Sequence, residues 1–360
     1  MATKLTNIAI KTRKSIRYGI YFMIFIFIAR FAINTANQLR LKFFPPAPPP
    51  PTVGFSRLPQ IPFPEQDASI PSLTFTVETS TGTLPDFPIS MPVYYMPKSS
   101  ANLNSVDIAK EKAKALGFSP NPTEISSTLY RFRHPQVPAS MEMNIITGTF
   151  STSYNLAADP SPLNSKPPFP ETAQDIAKST LSRINSLPKD LTVFGNAQFL
   201  KLENQKLVSA LSLSEANFVK VNLFRKSFGE EGQYKSLTKN PLEANVWFII
   251  SGARETEKRI IASEFHYYPI DEEQKETYPI KTSQEALDDL KKGKGYIANL
   301  GLNKEGVITI RNIYLAYYDP NVPSQFFQPI VVFEGDKGFV GYVPAVSSDY
   351  YGETETGADG

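Results

Sequence analysis

The chain has no cysteine among its 360 residues. That excludes disulfides, thiolate metal sites and cysteine nucleophiles. A secreted eukaryotic ectodomain of this size would ordinarily carry disulfides, so the absence points toward a prokaryotic protein. Histidine is nearly absent too, with only His134 and His266. Neither has an H-x-x-x-H partner or a carboxylate cluster that would complete a metal site. The sequence also lacks the nucleophile elbow G-x-S-x-G, the phosphate loop G-x-x-x-x-G-K-S/T, the dinucleotide fingerprint G-x-G-x-x-G and a calcium-binding loop. Serine and lysine are both common, but nothing singles out a catalytic pair. The acidic runs Asp271-Glu272-Glu273 and Asp288-Asp289 read as solvated faces rather than acid/base pairs. The expectation is a protein without enzymatic activity, cofactor or metal.

What is present is a chain with a real core. Hydrophobic residues make up 41% and charged residues 20%, the balance of a globular protein. The 17 tyrosines and 25 phenylalanines favour strands. Net charge is +2, but eight basic residues and no acid lie within 1–44. The remainder is therefore mildly acidic, which disfavours nucleic-acid binding.

Residues 18–29 form an uncharged apolar run, and Phe31, Ala32 and Ile33 resume it beyond Arg30. A membrane span needs roughly 20 residues, about 30 Å of helix. Residues 18–36 supply it if Arg30 snorkels to the interface. Five basic residues precede the run, so the positive-inside rule keeps 1–17 cytoplasmic and exports the rest. A cleaved signal peptide also fits, but no clean A-x-A site follows, which favours an anchor. Nine prolines then fall within 45–64. The segment 37–67 is expected to be an extended polyproline stalk that lifts the body off the membrane.

The body reads as α+β. Apolar spacing and caps predict helices over 105–116, 172–187 and 283–292, the second opened by Thr172 with Asp175 and the third by the Thr282–Glu285 capping box. Alternating and aromatic runs predict a strand at Leu73–Val77 and three or more strands after each helix. Helix plus antiparallel sheet thus recurs, suggesting duplicated units over 68–160, 161–275 and 276–346, each sheet covered by its helix. Residues 347–360 read as a disordered acidic tail. Side chains alternate along a strand, so one tyrosine of each doublet should face outward. Tyr267, Tyr268, Tyr314, Tyr317, Tyr318, Phe326 and Phe327 are accordingly the candidate interface residues.

Tyr278-Pro-Ile280, the helix Ser283–Lys292 ending in Gly293-Lys-Gly295, Ile313 through Asp319 and Gln328 through Phe333 together resemble the final domain of the YycH/YycI-type regulators. The resemblance covers 278–346 and more loosely 172–346. It implies a PepSY-like module in a single-pass extracytoplasmic protein that restrains a membrane sensor kinase by contact, without enzymatic activity. The proline stalk and residues 68–160 depart from that pattern. The functional expectation is a membrane-anchored binding or regulatory protein, with an envelope protein partner or a second copy of itself as partner. The alternatives are an envelope assembly factor that binds wall polymer or peptide, and an exported hydrolase with an unrecognised site.

Overall fold

The computed structural model describes residues 2–43, 49–66, 70–100, 103–303 and 306–350. It divides into two units, 1–50 and 51–360. The first is the helix α1 (Ala2–Phe43). Its stretch Ile16–Arg40 is long and apolar enough to cross a membrane, and none of it is buried within the protein. The helix thus continues without a break through the expected leader and the expected start of the stalk.

The second unit contains the helices α2 (Ser105–Ala115), α3 (Pro170–Arg183) and α4 (Ser283–Lys291). Its strands begin with β1 (Thr74–Val77), β2 (Ser90–Tyr95), β3 (Thr123–Glu124), β4 (Leu129–Arg133), β5 (Ala139–Asn144) and β6 (Phe150–Tyr154). They continue with β7 (Val193–Phe194), β8 (Gln198–Glu203), β9 (Lys206–Ser209), β10 (Phe218–Phe224), β11 (Ser236–Leu237), β12 (Val246–Ser251) and β13 (Ile260–Phe265). The last are β14 (Asp271–Pro279), β15 (Tyr296–Asn299), β16 (Val307–Tyr318), β17 (Phe326–Phe327), β18 (Pro329–Gly335) and β19 (Val340–Pro344).

These strands form three sheets. A ten-stranded antiparallel sheet has the order β3-β4-β5-β6-β13-β12-β10-β8-β9, with β7 beside β10. The expected units 68–160 and 161–275 are therefore not separate sheets: β3–β6 of the first and β7–β10, β12 and β13 of the second share this one, while β1, β2, β11 and β14 join the other two. The two units meet where β6 pairs with β13, with Thr152 opposite Ser263 and Phe150 opposite Phe265. Helices α2 and α3 bury Ala109, Ala113, Ala173, Ala177 and Leu181 against one face, on Phe132, Val219, Val221 and Phe248. The other face packs Tyr154, Phe218, Ile249 and Ile261 against Leu156 and Leu163 of the following loop.

The six-stranded sheet, β1-β16-β18-β19-β15 with β11 beside β16, is covered by α4. It is not wholly antiparallel, because β1 and β11 both join β16 in parallel. Both are short pieces that arrive from distant parts of the chain, so no hairpin dictates their direction. A third sheet, β14-β2-β17, uses a strand built on the acidic run at 271–273, where exposed charge masked the strand signal.

Local chemistry explains the helix boundaries. Thr282 accepts from the Glu285 amide at 3.2 Å, and Glu285 accepts from the Thr282 amide at 2.8 Å, completing the capping box. Removing that hydroxyl with Thr282→Ala should cost about 1 kcal/mol in urea unfolding. Helix α3 begins earlier than Thr172 because Pro170 occupies its first turn, where a missing N–H costs nothing.

The expected stalk over 51–66 is instead a strap bound across the body. The Val53 amide donates to Thr277 O at 3.1 Å, and the Leu58 amide donates to Tyr350 O at 2.7 Å. Gln328 donates to Pro59 O at 2.9 Å, and the Ile297 amide donates to Gln66 at 2.7 Å. Leu58 and Ile61 are buried. The polyproline reading fails because Val53, Phe55, Leu58, Ile61 and Phe63 interleave the prolines and give the segment an apolar side to bury. At the far end, 348–350 form a short turn of 3-10 helix whose Tyr350 packs on Tyr278, while 351–360 of the expected tail lie outside the described residues, as do 44–48 and 67 of the stalk.

One buried cluster joins the sheets. The Arg225 guanidinium donates to Asp319 at 2.8 Å, to Asp190 at 2.6 Å and to the Tyr268 carbonyl, and it lies 4.2 Å from the Tyr267 ring centroid. Tyr267 in turn donates to Asp190 at 2.8 Å. Burial opposes the guanidinium's charge, but Asp319, Tyr267 and Asp190 outweigh it and raise its pKa.

Candidate binding cleft

The junction of β6 and β13 is also where the two helices of the ten-stranded sheet part. Between them lies a cleft of about 650 Å³. That is within the ordinary range for small-molecule and peptide sites. Its floor is Phe150 and Thr152 of β6 with Ile260 and Ser263 of β13. Phe150 stacks on Phe265 at 5.1 Å, and the Thr152 and Ser263 hydroxyls share a hydrogen bond of 2.8 Å.

One wall is α3. Thr172, Asp175, Ile176, Ser179, Thr180 and Arg183 all line the cleft, and their three- and four-residue spacing puts them on one helical face. The opposite wall is the end of α2, Lys114 to Phe118, with the turn at His134. Gly117 has φ +91°, and a Cβ there would lie 3.0 Å from His134 Nε2. The left-handed backbone favours glycine here, and the tight approach to the imidazole adds to that preference. His134 packs edge-on to Phe118, and its Nδ1 accepts from the Gln136 and Val137 amides at 3.2 and 3.3 Å. Burial lowers its pKa, with Glu257 acting in the opposite sense. Lys112 donates to Ser186 at 2.9 Å and ties the end of α2 to the end of α3.

The third wall is the turn at Thr256–Arg259. Arg259 donates to the Ala253 and Arg254 carbonyls. Lys258 bonds Ser161 at 2.8 Å and pairs with Asp159 at 3.1 Å. Asp159 also accepts from Tyr154 at 2.6 Å and from the Ser161 amide at 3.0 Å. The Tyr154 hydroxyl, Ser161 and Lys258 together hold the Asp159 carboxyl well below the usual carboxylate range. A depressed native pKa adds stability that is present above the unfolded value of about 3.9 and is lost as pH falls below it. Between pH 6 and pH 2 the melting temperature of the wild type should therefore fall more than that of Asp159→Asn, as thermal scans in matched buffers will show.

Charge on the rim is mixed: Lys114, Arg183 and Arg259 against Asp175 and Glu257. Four of the lining hydroxyls are tied to structure, while Thr172, Ser179 and Thr256 also line the walls. Thr180 donates to Ile176 O, Ser153 bonds Ser140, and Thr152 and Ser263 bond each other. His134 uses Nδ1 on backbone amides. Among the described residues no group of three or more His, Asp or Glu is placed to hold a metal. The arrangement can bind and orient a ligand with charged ends over a floor of two apolar and two hydroxyl side chains. It presents no nucleophile hydrogen-bonded to a base.

The seven aromatic residues proposed as an interface lie elsewhere and are not exposed anchors. Tyr317 stacks on Phe327 at 4.9 Å, with Tyr94 and Phe228 close by, and its hydroxyl donates to Pro92 O at 2.8 Å. Tyr318 is buried on the opposite face against Phe63 at 4.8 Å. Phe326 packs on Phe55 at 4.9 Å, and Tyr268 is buried. Tyr267 and Tyr314 are half-buried with hydroxyls bonded to Asp190 and Glu334. The outward member of each doublet is expected to face water, but the strap covers Tyr318 and Phe326, and the body itself packs Tyr267 beside Arg225 and buries Tyr268. His266 lies outside the cleft, paired with Glu264 at 2.5 Å.

No family model matches the chain, and no curated protein matches it. Among solved structures, an uncharacterised protein from Eubacterium rectale is similar over 74% of this chain and 86% of its own length, with 14% identity and a TM-score of 0.41.

Proposed function

We propose that this is a membrane-anchored, non-enzymatic binding protein whose body lies outside the cytoplasm and takes a ligand or partner protein in the cleft between α2 and α3. The observation that carries this reading is the cleft itself: about 650 Å³, floored by Phe150 and Ile260 beside Thr152 and Ser263, charged at the rim, and without a nucleophile hydrogen-bonded to a base. The anchor rests on the exposed apolar helix, and the orientation rests on its basic lead-in. Contact with an envelope protein follows from the resemblance to YycH/YycI-type regulators, and restraint of a sensor kinase is the form that resemblance suggests.

A degenerate duplication fits the same cleft. Helix α2 precedes the meander β3-β4-β5-β6, and α3 precedes β8-β10-β12-β13. Each series ends at the junction, so the two halves would be related by a pseudo-two-fold axis through the β6–β13 pair. The cleft would then be the seam between the copies.

Two measurements test the reading. Protease added to spheroplasts should digest or release the body, and intact residues 51–350 beside digested surface proteins would refute export. A photo-crosslinker placed at Ser179 should capture one membrane-fraction partner, and Arg183→Glu should abolish that capture. Capture unaffected by Arg183→Glu would remove the cleft from the proposal.

A further inference from the structure

The strap occupies a groove built like a peptide site. Phe63 stacks on Tyr296 with ring centroids 5.3 Å apart and planes 10° apart, and meets Tyr318 edge-on at 4.8 Å. Tyr342 closes the floor at 6.5 Å from Phe63. Pro62 and Pro64 bracket that ring, and a tight turn at Pro62 brings the Phe63 amide to Ile61 O at 2.8 Å. Gln328 reads the backbone at Pro59. Aromatic floor, proline-restricted ligand and one backbone hydrogen bond are the elements by which grooves recognise proline-rich peptides. Proline lowers the ordering cost of such a ligand.

A second observation shows that the resident segment fits incompletely. The Tyr318 hydroxyl, the Tyr342 hydroxyl and Gln328 Oε1 are buried and find no hydrogen-bond partner among the described residues. All three residues border the strap. Buried polar atoms left unpaired are costly, so an occupant that pairs them would bind better than the resident one. Beside the strap there is also room for a larger occupant. A cavity of about 440 Å³ is lined by Pro59, Gln60 and Pro62 on one side and by Pro97, Tyr268 and Pro323 on the other.

We infer that the groove of Tyr296, Tyr318, Tyr342 and Gln328 is a second binding site, specific for an extended peptide with an aromatic residue bracketed by prolines, and that Ile61–Pro64 fills it in cis. A trans ligand competes with the chain's own segment. The tether gives that segment an effective concentration in the millimolar range, so the site is held closed to weak ligands and opens to strong or locally abundant ones. The inference stands independently of the cleft.

The test uses the full chain in detergent and a fluorescent peptide with the sequence of residues 57–66. Phe63→Ala in the chain weakens the cis occupant. The peptide should then bind saturably and at least about tenfold tighter than to the wild type, and a peptide with its own phenylalanine replaced by alanine should not bind. Equal binding of both peptides, or no saturable binding to a Phe63→Ala chain that keeps its strand spectrum and cooperative melting, overturns the inference. If that variant does not fold, the wild type is irradiated with millimolar peptide carrying benzoylphenylalanine at the phenylalanine position. Adducts on Tyr296, Tyr318 or Tyr342 support the site, and their absence overturns it. Placing the same photo-reactive group at position 63 of the chain distinguishes sources: an intermolecular adduct identifies a second copy as donor.

Discussion

Arg225→Met is expected to lower the unfolding free energy by about 3–5 kcal/mol, the usual cost of stripping one partner from a buried ionic group. Three elements depend on that guanidinium. Asp190 follows α3, Asp319 follows β16, and the Tyr268 carbonyl follows β13. The Arg225 side chain is 1% exposed, and Asp190 and Asp319 are 14% and 9% exposed. With methionine in place, two carboxylates remain in a low-dielectric site, and the Tyr267 hydroxyl bonded to Asp190 offsets only part of their desolvation. Burial already raises the Asp319 carboxyl even against the pull of Arg225. Urea titration followed by tyrosine fluorescence measures the loss. Adding Asp319→Leu to Arg225→Met should restore part of it, because an apolar replacement of the pair removes the stranded charge. A single-variant loss below 1 kcal/mol would mean that water reaches the cluster.

Tyr317→Ala should be comparably severe, at about 3–5 kcal/mol. Its ring is fully buried, between the stacked Phe327 and the edges of Tyr94, Phe228 and Tyr234. Truncation removes those contacts and strands the Pro92 carbonyl. Tyr317→Phe keeps the packing and should lose only about 1 kcal/mol. The pair of variants separates a core residue from a surface anchor. An exposed anchor truncated to alanine would change stability by no more than about 0.5 kcal/mol.

Local signals carried much of the secondary structure. Strands β12 and β16 fall on β-branched and aromatic runs among those expected after α3 and α4, and α4 sits on its capping box. These segments satisfy their preferences with neighbours close in sequence. The parts that were not legible depend on distant partners. β2 reads as a proline-interrupted Ser-Met-Pro-Val-Tyr-Tyr and becomes a strand only because β14 and β17 flank it. The strap's prolines dominate its composition, yet its fate is decided by a few apolar side chains and a sheet face some 230 residues away. The same face explains the aromatic doublets: period two tells which residues oppose each other, not whether both sides are covered.

The cleft was hidden for a related reason. His134 was visible as one of two histidines, but Thr152 and Ser263 meet only through the β6–β13 pairing, across 111 residues. The one usable local trace was the polar and charged series Thr172, Asp175, Ser179 and Arg183 along one side of α3, a pattern that an ordinary solvated helix shares. A single sequence cannot tell a wet face from a wall of a cleft.

The strap also sets a schedule. Thr52 bonds a residue 225 positions later, and Pro59 one 269 positions later. The ribosome must therefore release nearly the whole chain before the first residues of the body can find their places. Such distant closure makes for slow maturation. Until Tyr296, Tyr318 and Tyr342 arrive, Phe63 and the strap's other apolar side chains stay uncovered and sticky, so newborn chains of this protein should need a holdase far more than finished ones do.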